Sequence, residues 1–459
     1  MSGSAHIDRR AFLKLGAGGA AATALVAACS NETTQHHQAV PPSGLGEAPV
    51  NLLAAPAIDL VRIGFVGVGG MGSVHVQNLL QIEGVQIKAV CDIREEHARR
   101  ARNLIVESGQ PEPTLYTRGE TDFERMCSEE DLDLVYNATP WKWHVPISVA
   151  AMRNGKHAAT EVPAALTIEE CWQLVEESEK HQKHCVMMEN CNYGRAELLA
   201  FNLVRNGLLG EILHGECGYL HDLRSVKFSS EGEGLWRRAH SWTRNGNLYP
   251  THGLGPVAQC MDIHRGDRLA TLVSFSSPSR GLQAYARDHF DENAPQLRET
   301  YALGDINVSL IQTALGRTIY LNHDTNLPRP YSRINKVQGT RGLFHGYPDR
   351  VHIESRTPEH AWEDAATYYD EFEHPLWRKF GARDQDVGHG SMDFIEDYRL
   401  IECLRAGLPT DTTVYDAAAI SAVSELSELS VANGGAPVAF PDFTRGQWRS
   451  YPKLEIVGT

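Results

Sequence analysis

A glycine-rich turn that begins at Gly67, with the sequence G-V-G-G-M-G, constrains the fold of this chain more than any other feature. Residues 60–66 before it are rich in β-branched side chains, and residues 73–82 after it have the apolar spacing of a helix. In this strand–turn–helix order, Gly67 permits a tight turn, Gly69 lets the backbone approach a pyrophosphate, and Gly72 lets helix and strand pack closely. The turn therefore predicts a Rossmann-type unit that binds a dinucleotide.

The strand after this turn indicates which dinucleotide is bound. Residues 85–91 form a second apolar run that ends at Asp92, 20 residues after Gly72. A carboxylate there accepts hydrogen bonds from the ribose hydroxyls of NAD and repels the additional phosphate of NADP, although Arg94 weakens that exclusion. We therefore expect NAD as the cofactor. The cysteines match no zinc-binding spacing, so no metal is expected.

Strand-like and helix-like segments continue to alternate through the first part of the chain. Residues 132–138 and 156–160 are apolar runs, and each is followed by polar residues and a helical stretch. This pattern predicts a doubly wound parallel sheet, in which ligands bind at the carboxyl ends of the strands. Four side chains fall at such ends, although each taken singly also suits packing, helix capping or a solvated turn: Trp141, His144, Glu161 and Asn190.

The second part of the chain has a different pattern. Residues 270–275, 306–312 and 318–323 are β-rich runs joined by loops with many Tyr, His, Trp, Asn and Arg residues, which suit stacking on sugar rings and hydrogen bonds to hydroxyls. Residues 392–406 and 414–431 have helical apolar spacing. The predicted fold class is α/β: an N-terminal Rossmann domain with a doubly wound parallel sheet, and a C-terminal α+β domain with a largely antiparallel sheet.

Domain limits and composition narrow the function further. We predict a Rossmann domain at 59–187, a substrate domain at 188–391, and C-terminal helices at 392–459 that pack back on the Rossmann domain. The 58 acidic residues against 43 basic ones argue against nucleic acid, because phosphate binding needs clustered Lys and Arg. A small-molecule substrate fits better. The sequence leaves open whether the protein forms a homo-oligomer.

The N-terminus has the features of an export signal. Adjacent arginines, Arg9 and Arg10, precede an Ala/Gly-rich apolar run, as in twin-arginine signals, although a chance Arg pair is the alternative. The run ends at Cys29 in a lipoprotein-like box, so we predict a signal at 1–29, a lipid anchor on Cys29 and a flexible linker at 30–58. Plain cleavage near Ala28 is the rival. We therefore expect a periplasmic or envelope protein whose membrane contact is this anchor alone.

From residue 60 to the C-terminus the chain resembles the superfamily of glucose-fructose oxidoreductase and inositol dehydrogenase. Most members carry Glu-Lys-Pro after the fifth strand, but here Val162 replaces the lysine that those dehydrogenases use near the reacting hydroxyl. Their usual Asp-x-x-x-His pair is also missing, and Y-P-T-H-G-L-G stands at 249–255 instead. These differences argue against an ordinary sugar dehydrogenase.

Four separated segments are similar to one branch, glycoside hydrolase family 109, the NAD-dependent α-N-acetylgalactosaminidase family: 141–144 (W-K-W-H), 188–190 (M-E-N), 218–224 (G-Y-L-H-D-L-R) and 246–253 (G-N-L-Y-P-T-H-G). The resemblance implies cofactor contacts by Met71, Gly72, Asp92, Trp141, Lys142, Trp143, His144, Glu161, Val162 and Asn190. It implies sugar contacts by Tyr219, Arg237, Tyr249, Pro250, Thr251, His252 and Tyr331.

This resemblance implies hydrolysis of glycans with a terminal α-linked N-acetylhexosamine, with no net redox change. The sugar is oxidised at C3, loses its C2 proton and its aglycone, takes up water and is reduced again. We expect His252 to take the O3 proton, because imidazole titrates near neutrality, Tyr193 to act near C2, and Tyr249 and Tyr331 to orient the sugar. Two alternatives remain: a conventional NAD-dependent sugar dehydrogenase, and an envelope protein that binds dinucleotide or glycan without turnover.

Overall fold

Six parallel strands form the sheet of the first half, in the order β3-β2-β1-β4-β5-β6. The computed structural model describes residues 54–382 and 388–456, so the predicted signal, Cys29 and nearly all of the predicted linker lie outside the described residues. The strands are β1 (Val61–Val66), β2 (Val85–Cys91), β3 (Thr114–Tyr116), β4 (Leu134–Asn137), β5 (His157–Thr160) and β6 (Cys185–Met187). The order reverses between β1 and β4, which in a doubly wound sheet opens a crevice at their carboxyl ends.

Helices connect these strands: α1 (Gly70–Leu79), α2 (Glu95–Glu107), α3 (Asp122–Glu129), α4 (His144–Arg153) and α5 (Ile168–His181), with a 3-10 turn at Trp141–Trp143. Helix α1 begins three residues before the predicted start at 73, because the glycine-rich turn itself supplies the first helical residues. Helix α5 begins with a capping box, in which the Thr167 side chain accepts from the Glu170 backbone and the Glu170 side chain accepts in return. Strands β4 and β5 are wholly buried, as expected when a parallel sheet is covered on both faces.

A second, nine-stranded sheet follows, in the order β14-β13-β12-β11-β7-β10-β9-β8-β15. Only β7 and β10 pair in parallel, and the other neighbours are antiparallel, so the largely antiparallel sheet predicted for this half is confirmed. Its strands are β7 (Ile212–Leu220), β8 (Leu269–Ser276), β9 (Ile306–Thr313), β10 (Thr318–Asp324), β11 (Lys336–Gly339), β12 (Gly342–His345), β13 (Arg350–Ile353), β14 (Glu363–Asp364) and β15 (Val438–Ala439).

The helices of the second half are α6 (Arg195–Arg205), α7 (Arg224–Phe228), α8 (Arg237–Thr243), α9 (Thr251–Cys260), α10 (Gly281–His289), α11 (Tyr369–Phe372), α12 (Pro375–Phe380), α13 (Ser391–Ala406) and α14 (Val414–Ala432). Short 3-10 turns lie at Asn190–Tyr193, Gly232–Leu235, Pro295–Arg298, Ala365–Tyr368 and Gln447–Arg449. None of the helices in the described part of the chain combines the length and the apolar character needed to cross a membrane.

Helix α9 lies directly on strand β7, and glycines allow that close approach. A Cβ on Gly253 would lie 2.4 Å from the backbone nitrogen of Gly218. A Cβ on Gly215 would lie 2.5 Å from Cγ1 of Val257. Gly215 in β7 and Gly253 in α9 therefore let this helix and this strand pack closely.

Helix α13 returns to the first half and is held there by a buried polar cluster. Asp397 accepts hydrogen bonds from three side chains of the dinucleotide half: His75 on α1 at 2.9 Å, Asn78 on α1 at 3.1 Å and Tyr136 on β4 at 2.9 Å. Because hydrogen-bonded carboxylates are tolerated in an interior, this cluster anchors α13 on the Rossmann domain.

Candidate active site

The glycine-rich turn is shaped to receive a dinucleotide. Gly67 has a φ of 79°, which glycine adopts without strain. A Cβ on Gly72 would lie 1.9 Å from the Gly67 carbonyl oxygen, so Gly72 lets α1 pack on the turn. At Gly69, in contrast, the nearest protein atom to an added Cβ is 3.5 Å away, and Gly70 has open space. The turn thus leaves room for a ligand at Gly69 and directs the N-terminus of α1 at it, which fits a pyrophosphate.

Asp92 lies beside this turn at the end of β2. Its Oδ2 accepts from the Val68 backbone N–H at 2.9 Å, and its Oδ1 accepts from the Arg94 backbone N–H at 2.8 Å. These two hydrogen bonds fix the carboxylate next to the turn, where each oxygen keeps a second lone pair for a ribose hydroxyl. The described residues therefore fit NAD: the turn would hold its phosphates and Asp92 its ribose.

The Trp141–Trp143 turn sends its side chains in different directions. The Trp141 ring faces the second half of the chain. Trp143 packs edge-on against Phe123, with ring centroids 5.9 Å apart, and the exposed Lys142 pairs with Glu120 at 3.3 Å. Of these three predicted cofactor contacts, the structure therefore places only the Trp141 ring with the predicted sugar-binding residues.

His144 is fully buried and its ring is already occupied. Nδ1 lies 2.7 Å from the carbonyl oxygen of Pro163, and Nε2 lies 2.8 Å from that of Thr139. Burial lowers the pKa of His144. The ring thus joins the loops that follow β4 and β5, and any contact of this residue with a dinucleotide is left to its backbone.

The Glu161 carboxylate, at the end of β5, is held by a buried histidine. His75 Nε2 lies 2.8 Å from Glu161 Oε1, while His75 Nδ1 faces Asp397. Burial alone would lower the pKa of His75, but the two carboxylates raise it well above its ordinary value, so the ring is positively charged. Val162 beside Glu161 is buried, so this position supplies no amine to the site.

Aromatic rings of the second half gather opposite the carboxyl ends of the parallel strands. The Tyr219 ring centroid lies 4.5 Å from that of Tyr249, 5.3 Å from that of His252 and 6.1 Å from that of Tyr331. Trp141 brings the dinucleotide half to this group, since its ring lies 5.8 Å from Tyr249. The structure therefore unites five predicted site residues that lie up to 190 positions apart in the sequence, from 141 to 331.

Arg237 lies within the same group. Its guanidinium is 4.9 Å from the Tyr249 ring centroid and 5.1 Å from that of Trp141. It is paired with Glu233, Nε to Oε2, at 3.1 Å. Burial would lower the pKa of Arg237, but Glu233 and the tyrosines outweigh it and raise that pKa. A buried permanent cation among aromatic rings suits the hydroxyl and carbonyl oxygens of a sugar.

Glu189, which the sequence analysis did not select, completes the site. It follows β6 and is fully buried, and its Oε1 lies 2.7 Å from His252 Nδ1. Burial would raise the pKa of Glu189, but His252, Thr251 and the Cys191 backbone N–H hold it below its usual value. The carboxylate is therefore ionised and occupies Nδ1 with a hydrogen bond, so Nε2 is the ring nitrogen that can exchange a proton with a ligand.

The other ring nitrogen of His252, Nε2, faces a tyrosine. His252 Nε2 lies 3.5 Å from the Tyr249 hydroxyl oxygen. Two neighbours of His252, Pro250 and Thr251, are also predicted to contact the sugar. Pro250 is the N-cap of α9, and Thr251 is buried as the first residue of that helix. A Cβ on Gly255 would lie 3.0 Å from Cγ of Glu189, so this glycine lets α9 carry His252 up to its carboxylate.

Glu189, Cys191 and His252 could also hold a metal, because their ligand atoms lie within 4.8 Å of one another. Two ligands of tetrahedral zinc stand about 3.3 Å apart, given bonds of about 2.0 Å. The 2.7 Å between Oε1 and Nδ1 is instead the length of a hydrogen bond. We therefore interpret this group as a carboxylate–histidine pair.

The expected role of Tyr193 near the sugar does not agree with the structure. Its hydroxyl donates to Asp411 Oδ2 at 3.0 Å, and Asp411 is paired with the buried Arg399. The side chain is therefore directed toward Asp411 and, through it, toward Arg399 on α13. Asn190, in the same 3-10 turn, donates to Asp393 Oδ1 at 2.7 Å, also on α13.

Comparison with known proteins defines the class first. Residues 61–189 match the oxidoreductase family with an NAD-binding Rossmann fold, and residues 193–450 match the C-terminal domain of glycosyl hydrolase 109. The protein is therefore an enzyme of the glycoside hydrolase class with an NAD-binding Rossmann domain.

Relatives that match over the whole chain then identify the family. A glycosyl hydrolase family 109 protein of Shewanella sp. (strain W3-18-1) is 46% identical, with 99% of each chain covered. A protein of Shewanella oneidensis named alpha-N-acetylgalactosaminidase is 45% identical, again with 99% of each chain covered. The chain belongs to glycosyl hydrolase family 109, and the family resemblance inferred from its motifs is confirmed.

Solved structures with lower identity share the fold. Levoglucosan dehydrogenase in complex with NADH and levoglucosan has a TM-score of 0.63 at 20% identity, over 83% of this chain and 100% of that one. An oxidoreductase domain protein from Kribbella flavida has a TM-score of 0.65 at 19% identity, with the same coverage. The predicted fold class is confirmed.

Proposed function

We propose that this enzyme hydrolyses α-N-acetylgalactosaminides by transient oxidation of the sugar at C3. The main support is the ionised Glu189 paired with His252 among tyrosines, opposite the strand ends where NAD would bind. Ordinary glycosidases need two facing carboxylic groups. The groups gathered here are instead a histidine and tyrosines, which suit proton transfers to and from a sugar that is briefly a ketone.

His252 serves the first of these proton transfers. Held by the glycine-rich turn and Asp92, the nicotinamide cofactor would supply a hydride acceptor for sugar C3 and the hydride for its later reduction. His252 Nε2 takes the O3 proton in that step, and Glu189 stabilises the imidazolium that forms. The name of the Shewanella oneidensis relative supports the choice of substrate.

We assign the role of the base at C2 to Tyr219 rather than to Tyr193. Its ring touches those of Tyr249, His252 and Tyr331, and it is buried in the group. Once C3 is a carbonyl, the C2 hydrogen becomes acidic, and its removal expels the aglycone from C1. The Tyr219 oxygen then acts as the base at C2.

The deciding experiment is incubation with an aryl α-N-acetylgalactosaminide in deuterated water, with aryl alcohol and NADH absorbance followed together. We expect aryl release without lasting NADH, and deuterium at C2 of the released sugar. Lasting NADH without aryl release would instead establish the conventional dehydrogenase, which the fold shared with levoglucosan dehydrogenase makes the second candidate. Binding without any product would establish a binding protein.

The proposal includes export by the twin-arginine route and a lipid anchor on Cys29. The support is the Arg9-Arg10 pair and the lipoprotein-like box. We expect Cys29→Ser to move the protein from the membrane fraction to the soluble envelope fraction, and replacement of both arginines by lysine to leave it in the cytosol. An unchanged membrane fraction in Cys29→Ser would contradict the anchor.

A further inference from the structure

A second histidine, His221, contacts the tyrosine proposed to act at C2. It follows β7, two residues after Tyr219, and its Nδ1 lies 3.0 Å from the Tyr219 hydroxyl oxygen. Its ring also packs edge-on against Tyr331, with centroids 4.9 Å apart. Its backbone N–H donates to the Asp324 carbonyl at 2.9 Å, which ties this segment to β10. The imidazole is thus fixed against the phenol from several sides.

The protonation states of this pair follow from its surroundings. Arg237 can only donate, and it hydrogen-bonds the Tyr219 oxygen. We therefore assign the phenol O–H as the donor to Nδ1 of His221, which then carries the lone pair. Burial lowers the pKa of His221, and the positive charge of Arg237 acts in the same direction against the opposing Asp222 and Glu233. His221 is therefore neutral at neutral pH and can accept a proton.

We propose that His221 is a positioning residue that acts through Tyr219: it holds the phenol and takes its proton while the phenol oxygen removes the C2 proton of the oxidised sugar. This rests on the proposed function. It divides the two proton transfers between two separate pairs, Glu189–His252 for O3 and Tyr219–His221 for C2.

Removal of the C2 proton is coupled to loss of the aglycone. The C2–H bond breaks, its proton goes to the Tyr219 oxygen, and the phenol's own proton moves to His221 Nδ1. The electron pair forms the C1–C2 double bond as the bond from C1 to the aglycone oxygen breaks. One water molecule gives its proton to that oxygen and its hydroxide to C1. The proton that Tyr219 acquired exchanges with solvent, after which Tyr219 returns a solvent proton to C2 and recovers its own from His221.

Transfer of the phenol's proton to His221 avoids the cost of forming a free phenolate on Tyr219. Burial raises the pKa of Tyr219 to about 12, even though Arg237 opposes it, so a free phenolate is costly near neutral pH. When one proton leaves the phenol as another arrives, no free phenolate has to form. A neutral imidazole 3.0 Å from the hydroxyl makes that exchange possible.

The test uses an aryl 3-keto-α-glycoside, whose C2 hydrogen is already acidic, and measures deuterium uptake at C2 from solvent. We expect His221→Phe, which keeps a ring against Tyr331, to slow this exchange at least about 100-fold. His221→Gln can accept the phenol's hydrogen bond but cannot take its proton, so we expect it to remain as slow as His221→Phe. The NADH formed from the ordinary aryl glycoside in the first turnover should stay within about twofold of wild type, since that step uses His252.

His214→Phe is the matched control. His214 lies on β7, the strand that leads to His221, and it also faces a hydroxyl, with Nδ1 2.9 Å from Thr318 Oγ1, but it is outside the site. We expect wild-type exchange in this variant. Full exchange in His221→Phe, or its recovery in His221→Gln, would overturn the proton relay. If the wild-type protein itself gave neither exchange nor aryl release, the proposed function would fail and this inference with it.

Discussion

Replacement of His252 by alanine lowers kcat for an aryl α-N-acetylgalactosaminide about 10³-fold, while the affinity for NAD stays close to that of wild type. The magnitude is that of a positioned acid–base group, which contributes about 10² to 10⁴ in rate. His252 has its Nδ1 committed to Glu189 at 2.7 Å, so only Nε2 is available, and no other described side chain of the ring group repeats that pairing. Steady-state release of the aryl alcohol gives kcat, and single-turnover NADH formation, followed by absorbance, isolates the step that uses His252.

A second histidine–carboxylate pair supplies the control. His264 Nδ1 lies 3.0 Å from Asp416 Oδ1 at a buried position away from the ring group. We expect His264→Ala to lower stability yet keep kcat within about twofold, because loss of a buried hydrogen bond costs about 1 to 3 kcal/mol but touches no reacting atom. Equal turnover in His252→Ala and wild type would exclude His252 as the base for O3.

Gly253→Ala destabilises the folded protein by about 3 kcal/mol, at the upper end of the cost of overpacking. The added Cβ would lie 2.4 Å from the nitrogen and 2.7 Å from the oxygen of Gly218, and both are backbone atoms of β7 that cannot rotate aside. Helix α9 must therefore move, and His252, the preceding residue, moves with it. We expect a fall of several degrees in the thermal midpoint, measured by calorimetry, together with reduced turnover.

A thermal midpoint close to that of wild type would contradict this prediction for Gly253→Ala. If Gly253→Ala unfolded within about 1 °C of wild type, α9 and β7 could separate at little cost, and the glycines would not set the position of the base. Gly207→Ala would be a poor comparison, because its φ of 72° adds backbone strain unrelated to packing.

Much of the fold could be predicted because its signals are local. The glycine-rich turn, the carboxylate of Asp92 and the alternation of strands and helices each depend on residues close together in sequence. The apolar pattern places the start of α1 three residues too late. Residues within the turn are glycines that carry no helical pattern, yet they are the first residues of the helix.

The site was predicted less completely, because sequence does not show which way a side chain points. Tyr193 stands three residues after Asn190, yet a 3-10 turn directs its hydroxyl to Asp411. Glu189 lies inside the M-E-N segment at 188–190, and its position directly after an apolar strand is the sequence signal for a site residue there. Nothing local, however, could show that His252, 63 positions later, would meet it.

The pair formed by Glu189 and His252 also joins two parts of the chain that look separable. The carboxylate follows the last strand of the parallel sheet, whereas the imidazole stands on a helix that rests on the other sheet. Neither half can therefore carry the base in working form alone. An exchange of one half for that of a dehydrogenase with the same fold would leave a histidine without its anion, or a buried anion without its histidine. A working chimaera of such enzymes must therefore contain both the carboxylate at position 189 and the histidine at position 252.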